Sequence, residues 1–170
     1  MSTSLDLSKL SLMDALDLAI LIEEEARQRY EMFAKQLRGY DAGKFFATMV
    51  ENEAKHGTEL LERRMDLFGK APMKVQLTDL FDVEAPEMGA VRRGMSTMQA
   101  FELGLVAERK AYNFYDLALP GVVDPEVREL FTELRDEELE HVEMLQEAMA
   151  KLPADANIEF ETDFDDVPYL

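Results

Sequence analysis

The chain has 170 residues, no cysteine, and a formal charge of −18 from 36 acidic and 18 basic side chains. That length fits one domain with a full core, and the missing thiols exclude disulfides, thiolate metal sites and cysteine-ligated iron–sulfur clusters. The charge argues against nucleic acid as a partner, since phosphate binding needs Lys and Arg clusters, and it would attract metal cations.

Helical periodicity dominates from the start. Ser11 to Asp14 reads as an N-terminal cap, followed by apolar positions Ala15, Leu18, Ala19, Ile22, Ala26, Tyr30 and Phe33 at three- and four-residue spacing. Arg38-Gly39 closes this first helix. A second runs from about Ala42 to Phe68, with Gly69 at its end and Pro72 just beyond. Residues 70–95 hold two prolines and no sustained period, so they read as a long connection with a short helical turn over Leu77 to Phe81. Ser96-Thr97-Met98-Gln99 forms a capping box for a third helix, which ends near Leu119 before Pro120-Gly121. Asp124-Pro125 opens the fourth helix, which ends near Leu152-Pro153. The bundle is thus placed at residues 1–152 and an acidic tail at 153–170, with Ile158-Glu159-Phe160 as a small alternating stretch. No apolar run approaches the roughly 20 residues of a membrane span, and the opening MSTSLDLSKLSL lacks the basic end and apolar stretch of a signal peptide. A soluble, cytoplasmic protein is expected.

The only two histidines each follow a glutamate by three positions, Glu53/His56 and Glu138/His141, and the two pairs stand 85 residues apart. Glu23 and Glu108, Ala26 and Ala111, Tyr30 and Tyr115, and Phe46 and Phe131 share that offset. An internal repeat of a helical hairpin explains this pattern, because each half builds half of one site. Residues at equal height in an antiparallel hairpin have numbers summing to twice the turn's centre. Glu23 with His56 centres on Gly39, and Glu108 with His141 centres on the Asp124-Pro125 turn. Both hairpins therefore put their ligands at one height, about 25 Å from the turn at 1.5 Å per residue. The expected fold is all-α: a ferritin-like four-helix bundle of two repeated antiparallel hairpins joined by a long crossover.

Residues three apart share a helix face, so each Glu/His pair can reach one metal region. Glu23, Glu53, His56, Glu108, Glu138 and His141 together form the ligand set of a carboxylate-bridged two-metal site. Four facing carboxylates inside a bundle repel and are poorly solvated without cations, and two divalent ions cancel their charge. Oxygen donors with imidazole suit iron or manganese. Glu137 competes with Glu138 for the ligand role, but its counterpart in the repeat is Asn52, whereas that of Glu138 is Glu53. Glu140, matched by Lys55, is read as structural, and Glu24 and Glu25 turn away from Glu23. Asp17 and Glu102 lie six residues before their ligand Glu, about 120° off its face, and are expected to be solvated. Tyr30 and Tyr115 share the ligand face two turns on. Core packing and a phenol hydrogen bond to a ligand carboxylate are both open to them.

At Glu23 to Tyr30 and at the two Glu/His motifs the chain resembles the rubrerythrin family of the ferritin-like superfamily, over roughly residues 11–152. The resemblance implies a di-iron centre, terminal carboxylates at Glu23 and Glu108, bridging carboxylates at Glu53 and Glu138, and histidine ligands at His56 and His141. It also implies a homodimer and reduction of hydrogen peroxide with electrons from a rubredoxin domain. This chain has no such domain, so an external electron-donor protein is expected. Rubrerythrins carry a further carboxylate three residues after the third-helix ligand, where this chain has Ala111. A near-symmetric six-ligand site is therefore expected. Oxidation of ferrous iron by dioxygen, and non-catalytic metal carriage to a partner, are the alternatives to peroxide reduction.

Overall fold

The computed structural model describes residues 5–76 and 83–159. Its principal elements are α1 (Leu12–Gln36), α2 (Asp41–Phe68), α3 (Thr97–Ala118) and α4 (Pro125–Ala150). Each starts and stops on the signals in the sequence. The Ser11 hydroxyl accepts a bond from the Asp14 amide at 3.1 Å, satisfying a helix-start donor that has no partner within the helix. Ser96 and Gln99 make both bonds of the capping box, at 2.8 and 3.1 Å. Asp124 Oδ1 accepts from the Glu126 and Val127 amides ahead of a helix opened by Pro125. Gly39 turns the chain between α1 and α2 at φ 96°, where a side chain would be strained. The expected turn over Leu77 to Phe81 lies outside the described residues.

The apolar side chains separate into two clusters stacked along the bundle. One gathers Leu16 and Ile22 of α1, Leu60 of α2, Tyr115 of α3, and Leu130 and Phe131 of α4. The other gathers Tyr30 and Phe33 of α1, Phe46 of α2, Leu105 of α3, and Val142 and Leu145 of α4. The starts of α1 and α4 thus share one end with the finishes of α2 and α3. Each hairpin is antiparallel, α2 and α3 run the same way, and the chain between them must travel the length of the bundle. Val83 joins the first cluster, and Val91 and Met95 join the second, which maps that passage. Lys110 of α3 donates to the Ala85 carbonyl at 3.0 Å, and Arg29 of α1 donates to the Pro86 carbonyl. The crossover is therefore tied over the seam between α1 and α3.

Asp17 departs from expectation. Its side chain is fully buried, not solvated, because Arg64 of α2 meets it with Nε at 2.7 Å and a terminal nitrogen at 3.2 Å. Arg64 also donates to the Gly69 and Ala71 carbonyls at 2.7 and 2.6 Å, so the same side chain fastens the start of the crossover. The helical wheel correctly turned Asp17 off the ligand face, yet the neighbouring helix end supplies its partner. Glu102 is exposed, as expected.

Candidate metal centre

Between the two apolar clusters lies a layer of acids. Glu23, Glu53, Glu108 and Glu138 come one from each helix, and none is more than 2% exposed. Each is on the buried stripe of its helix, which is why the fold brings all four together. Donor atoms of Glu23, Glu53 and His56 lie within 4.8 Å of one another, and so do those of Glu108, Glu138 and His141. His141 Nδ1 is 3.0 Å from Glu108 and 3.5 Å from Glu138, and His56 Nδ1 is 3.8 Å from Glu23. The two imidazoles stack with centroids 4.6 Å apart and planes 5° apart, on the α2–α4 side. The six side chains named from the sequence thus converge, in the two triads that the hairpin repeat predicts. Glu137 and Glu140 are exposed, and Glu24 turns outward to Arg27 and Gln28.

A seventh side chain was not anticipated. Glu84, on the crossover, is 1% exposed. It groups with Glu23 and Glu138, and separately with Glu53 and Glu108, with donor atoms in each group within 4.8 Å of one another. The six-residue reading therefore undercounts the acids by one. A carboxylate occupies the centre although position 111 is alanine, and it enters from the α1–α3 side, opposite the histidines. Residue periodicity carries no trace of this, since the crossover has no period. A signal did exist: Glu84 is near the midpoint of a connection that has to pass the site at half its length.

Electrostatics show what this crowding costs the protein alone. Burial first, then repulsion from Glu53, holds the Glu23 and Glu84 carboxyls well above the usual carboxylate range. Burial does the same to Glu138, and burial with repulsion from Glu108 pushes Glu53 up to about 7. His56 is lowered by burial and by the facing His141. Burial also pulls on His141, but its hydrogen bonds to Glu108 and Glu138 prevail and raise it to about 10. Both oxygens of Glu53 and Glu84, and one each of Glu23, Glu108 and Glu138, are buried with no hydrogen-bond partner among the described residues. Buried acids without donors are strongly disfavoured. A pair of cations would satisfy these atoms together, and oxygen donors with two imidazoles fit iron or manganese.

Tyr30 and Tyr115 are buried against Phe46 and Phe131 respectively, and neither hydroxyl has a hydrogen-bond partner among the described residues. The phenol–carboxylate bond considered from the sequence is not formed, and packing is what these rings do here. Burial, followed by repulsion from Glu108 for Tyr30 and from Glu23 for Tyr115, holds both phenols well above their usual range. A cleft of about 480 Å³ reaches Glu53, Glu108 and His141 past Met49, Asn52 and Met144, and it gives small molecules a way to the acids.

A sequence profile described as rubrerythrin matches residues 14–149. The chain is similar to an uncharacterised conserved protein from Magnetospirillum magnetotacticum MS-1, whose crystal structure superposes with a TM-score of 0.65 at 26% identity, over 85% of this chain and 97% of that one. A hypothetical protein from Pyrococcus furiosus shares the fold with a TM-score of 0.54 at 23% identity, over 86% of this chain and 95% of that one. No protein of curated function matches significantly.

Proposed function

The chain belongs to the rubrerythrin family, and on that premise we propose that it is a di-iron oxidoreductase that reduces hydrogen peroxide. The observation that carries this reading is the buried acid layer, whose unpartnered oxygens face one another beside two stacked histidines. Glu23, Glu53 and His56 would hold one metal, and Glu108, Glu138 and His141 the other, with Glu53 and Glu138 shared between them. When bound, the pair supplies two one-electron steps, matching the two electrons and two protons that convert peroxide to two waters. The carboxylates would balance the metals' charge, and His141 would keep a neutral donor on the cleft side. Met49, Phe45 and Leu145 along the cleft restrict water, so the substrate is small. Electrons come from a separate donor protein, because the chain has no cysteine to bind its own rubredoxin-type iron. Among the described residues no helix is long and apolar enough to cross a membrane.

The test loads the protein anaerobically with ferrous iron and mixes it separately with peroxide and with dioxygen. Fast oxidation by peroxide, with slow oxidation by dioxygen, is expected. Repeated turnover of added ferrous iron by dioxygen would instead make the protein a ferroxidase, and slow reaction with both would make it a metal carrier.

A further inference from the structure

We propose that Glu84 is a metal ligand delivered by the crossover, a third carboxylate shared between the two metal positions. This inference rests on the two-metal reading above and adds to it a residue outside the helical repeat. With Glu53 and Glu138 shared, Glu23 and Glu138 would both border one metal position, and Glu108 and Glu53 the other. Glu84 lies within donor reach of both pairs. Both of its oxygens are buried, and neither has a hydrogen-bond partner among the described residues. A structural acid in that position would have an Arg, a Lys or backbone amides on it, as Asp17 has Arg64. The cations near Glu84 do something else: Lys110 and Arg29 bind the carbonyls of the next two residues. They fix the backbone and leave the carboxylate free to face the acid layer. Val83, packed in the first apolar cluster, anchors the other side. The segment is thus built to hold one acid in a place where an acid alone is unfavourable.

The placement has a chemical consequence. Glu84 raises the carboxylates of the buried layer from four to five. Five negative charges lie one above the four positive charges of two divalent ions and one below the six of two trivalent ions. An added anionic donor favours the higher oxidation state, so Glu84 lowers the reduction potential of the bound pair. Entry from the side opposite the histidines also leaves the cleft beside His141 open to substrate.

The experiment compares the parent protein with Glu84→Gln, which keeps the shape and removes the charge, and with Glu87→Gln, an exposed acid on the same crossover. Manganous ion is the probe. Affinity is read by competition with a chelating dye, and melting temperature is measured metal-free and manganese-saturated. Glu84→Gln is expected to weaken manganese binding by about ten-fold or more, while its metal-free form melts no lower than the parent. Glu87→Gln should match the parent in both readings. Unchanged affinity in Glu84→Gln beside a parent that binds two ions would overturn the role of Glu84 alone. So would a metal-free variant that melts lower with affinity intact, which marks a packing role. A parent that binds no manganous or ferrous ion would overturn this inference together with the two-metal reading.

Discussion

His56 and His141 show how much one side chain can decide here. Each sits three residues after an acid on its helix, each turns Nδ1 toward a carboxylate of the other helix in its hairpin, and the two rings stack. Removing a ligand removes a bond to the metal, so His56→Ala or Glu138→Ala should lower metal content, and Glu140→Ala should leave it unchanged. Elemental analysis after dialysis against ferrous or manganous ion would check this. The acids make a second, opposite-signed prediction for the metal-free protein. Glu53 is raised from 4.5 to about 7 in the folded state, and burial holds Glu23, Glu84 and Glu138 well above the usual carboxylate range. Acids whose folded values are raised contribute stability that is complete below the unfolded value and is lost as pH rises through the folded one. His141, raised to about 10, acts in the same direction, while the lowered His56 opposes it below its ordinary value. The metal-free protein should therefore melt lower at pH 8 than at pH 5, by roughly 5 °C or more. Metal binding displaces protons and should reverse the trend. A metal-free melting temperature that rises across that window would show the acids to be solvated.

At the level of elements, the four helices and their turns were legible because their causes are local. Ser11, the Ser96/Gln99 box and Asp124-Pro125 each satisfy helix-start donors within a few residues, and an apolar stripe of period 3.6 can be read without knowing its partner. The hairpin sums worked for the same reason, since a short turn fixes which residues face each other. The crossover was not legible in this way. Its residues take their places from the bundle they cross, and neither Val83 nor Glu84 has a neighbour in sequence that announces burial. Asp17 is intermediate: its sum with Arg64 matches the α1–α2 turn about as well as that of Glu23 with His56, so the pairing could have been found by asking what lies opposite. Arg64 joins Asp17 to the Gly69 and Ala71 carbonyls. Arg64→Met should therefore leave a buried acid unpaired and lower the melting temperature by about 10 °C. It should also weaken manganese binding, because it loosens the chain that carries Glu84. A variant with an unchanged melting temperature would show that Asp17 finds water when Arg64 is gone.

Across the whole molecule, the acid layer divides the core into two apolar clusters, and it is the layer that needs a ligand. Without cations, five carboxylates, four from the helices and one from the crossover, face one another at mid-height, so bound metals would stabilise the fold. Metal bound only by the folded chain adds RT ln(1 + [metal]/Kd), about 2.7 kcal/mol at a hundred-fold excess over Kd. For a chain of this size that raises the melting temperature by roughly 5–10 °C, and chelation should abolish the gain. The most direct measurement is the number of metal ions per chain, by elemental analysis of anaerobically loaded protein, in the parent and in the double variant His56→Ala/His141→Ala. Two ions are expected in the parent and a clear loss in the double variant. An unaltered stoichiometry in the double variant would contradict a centre built between the two hairpins.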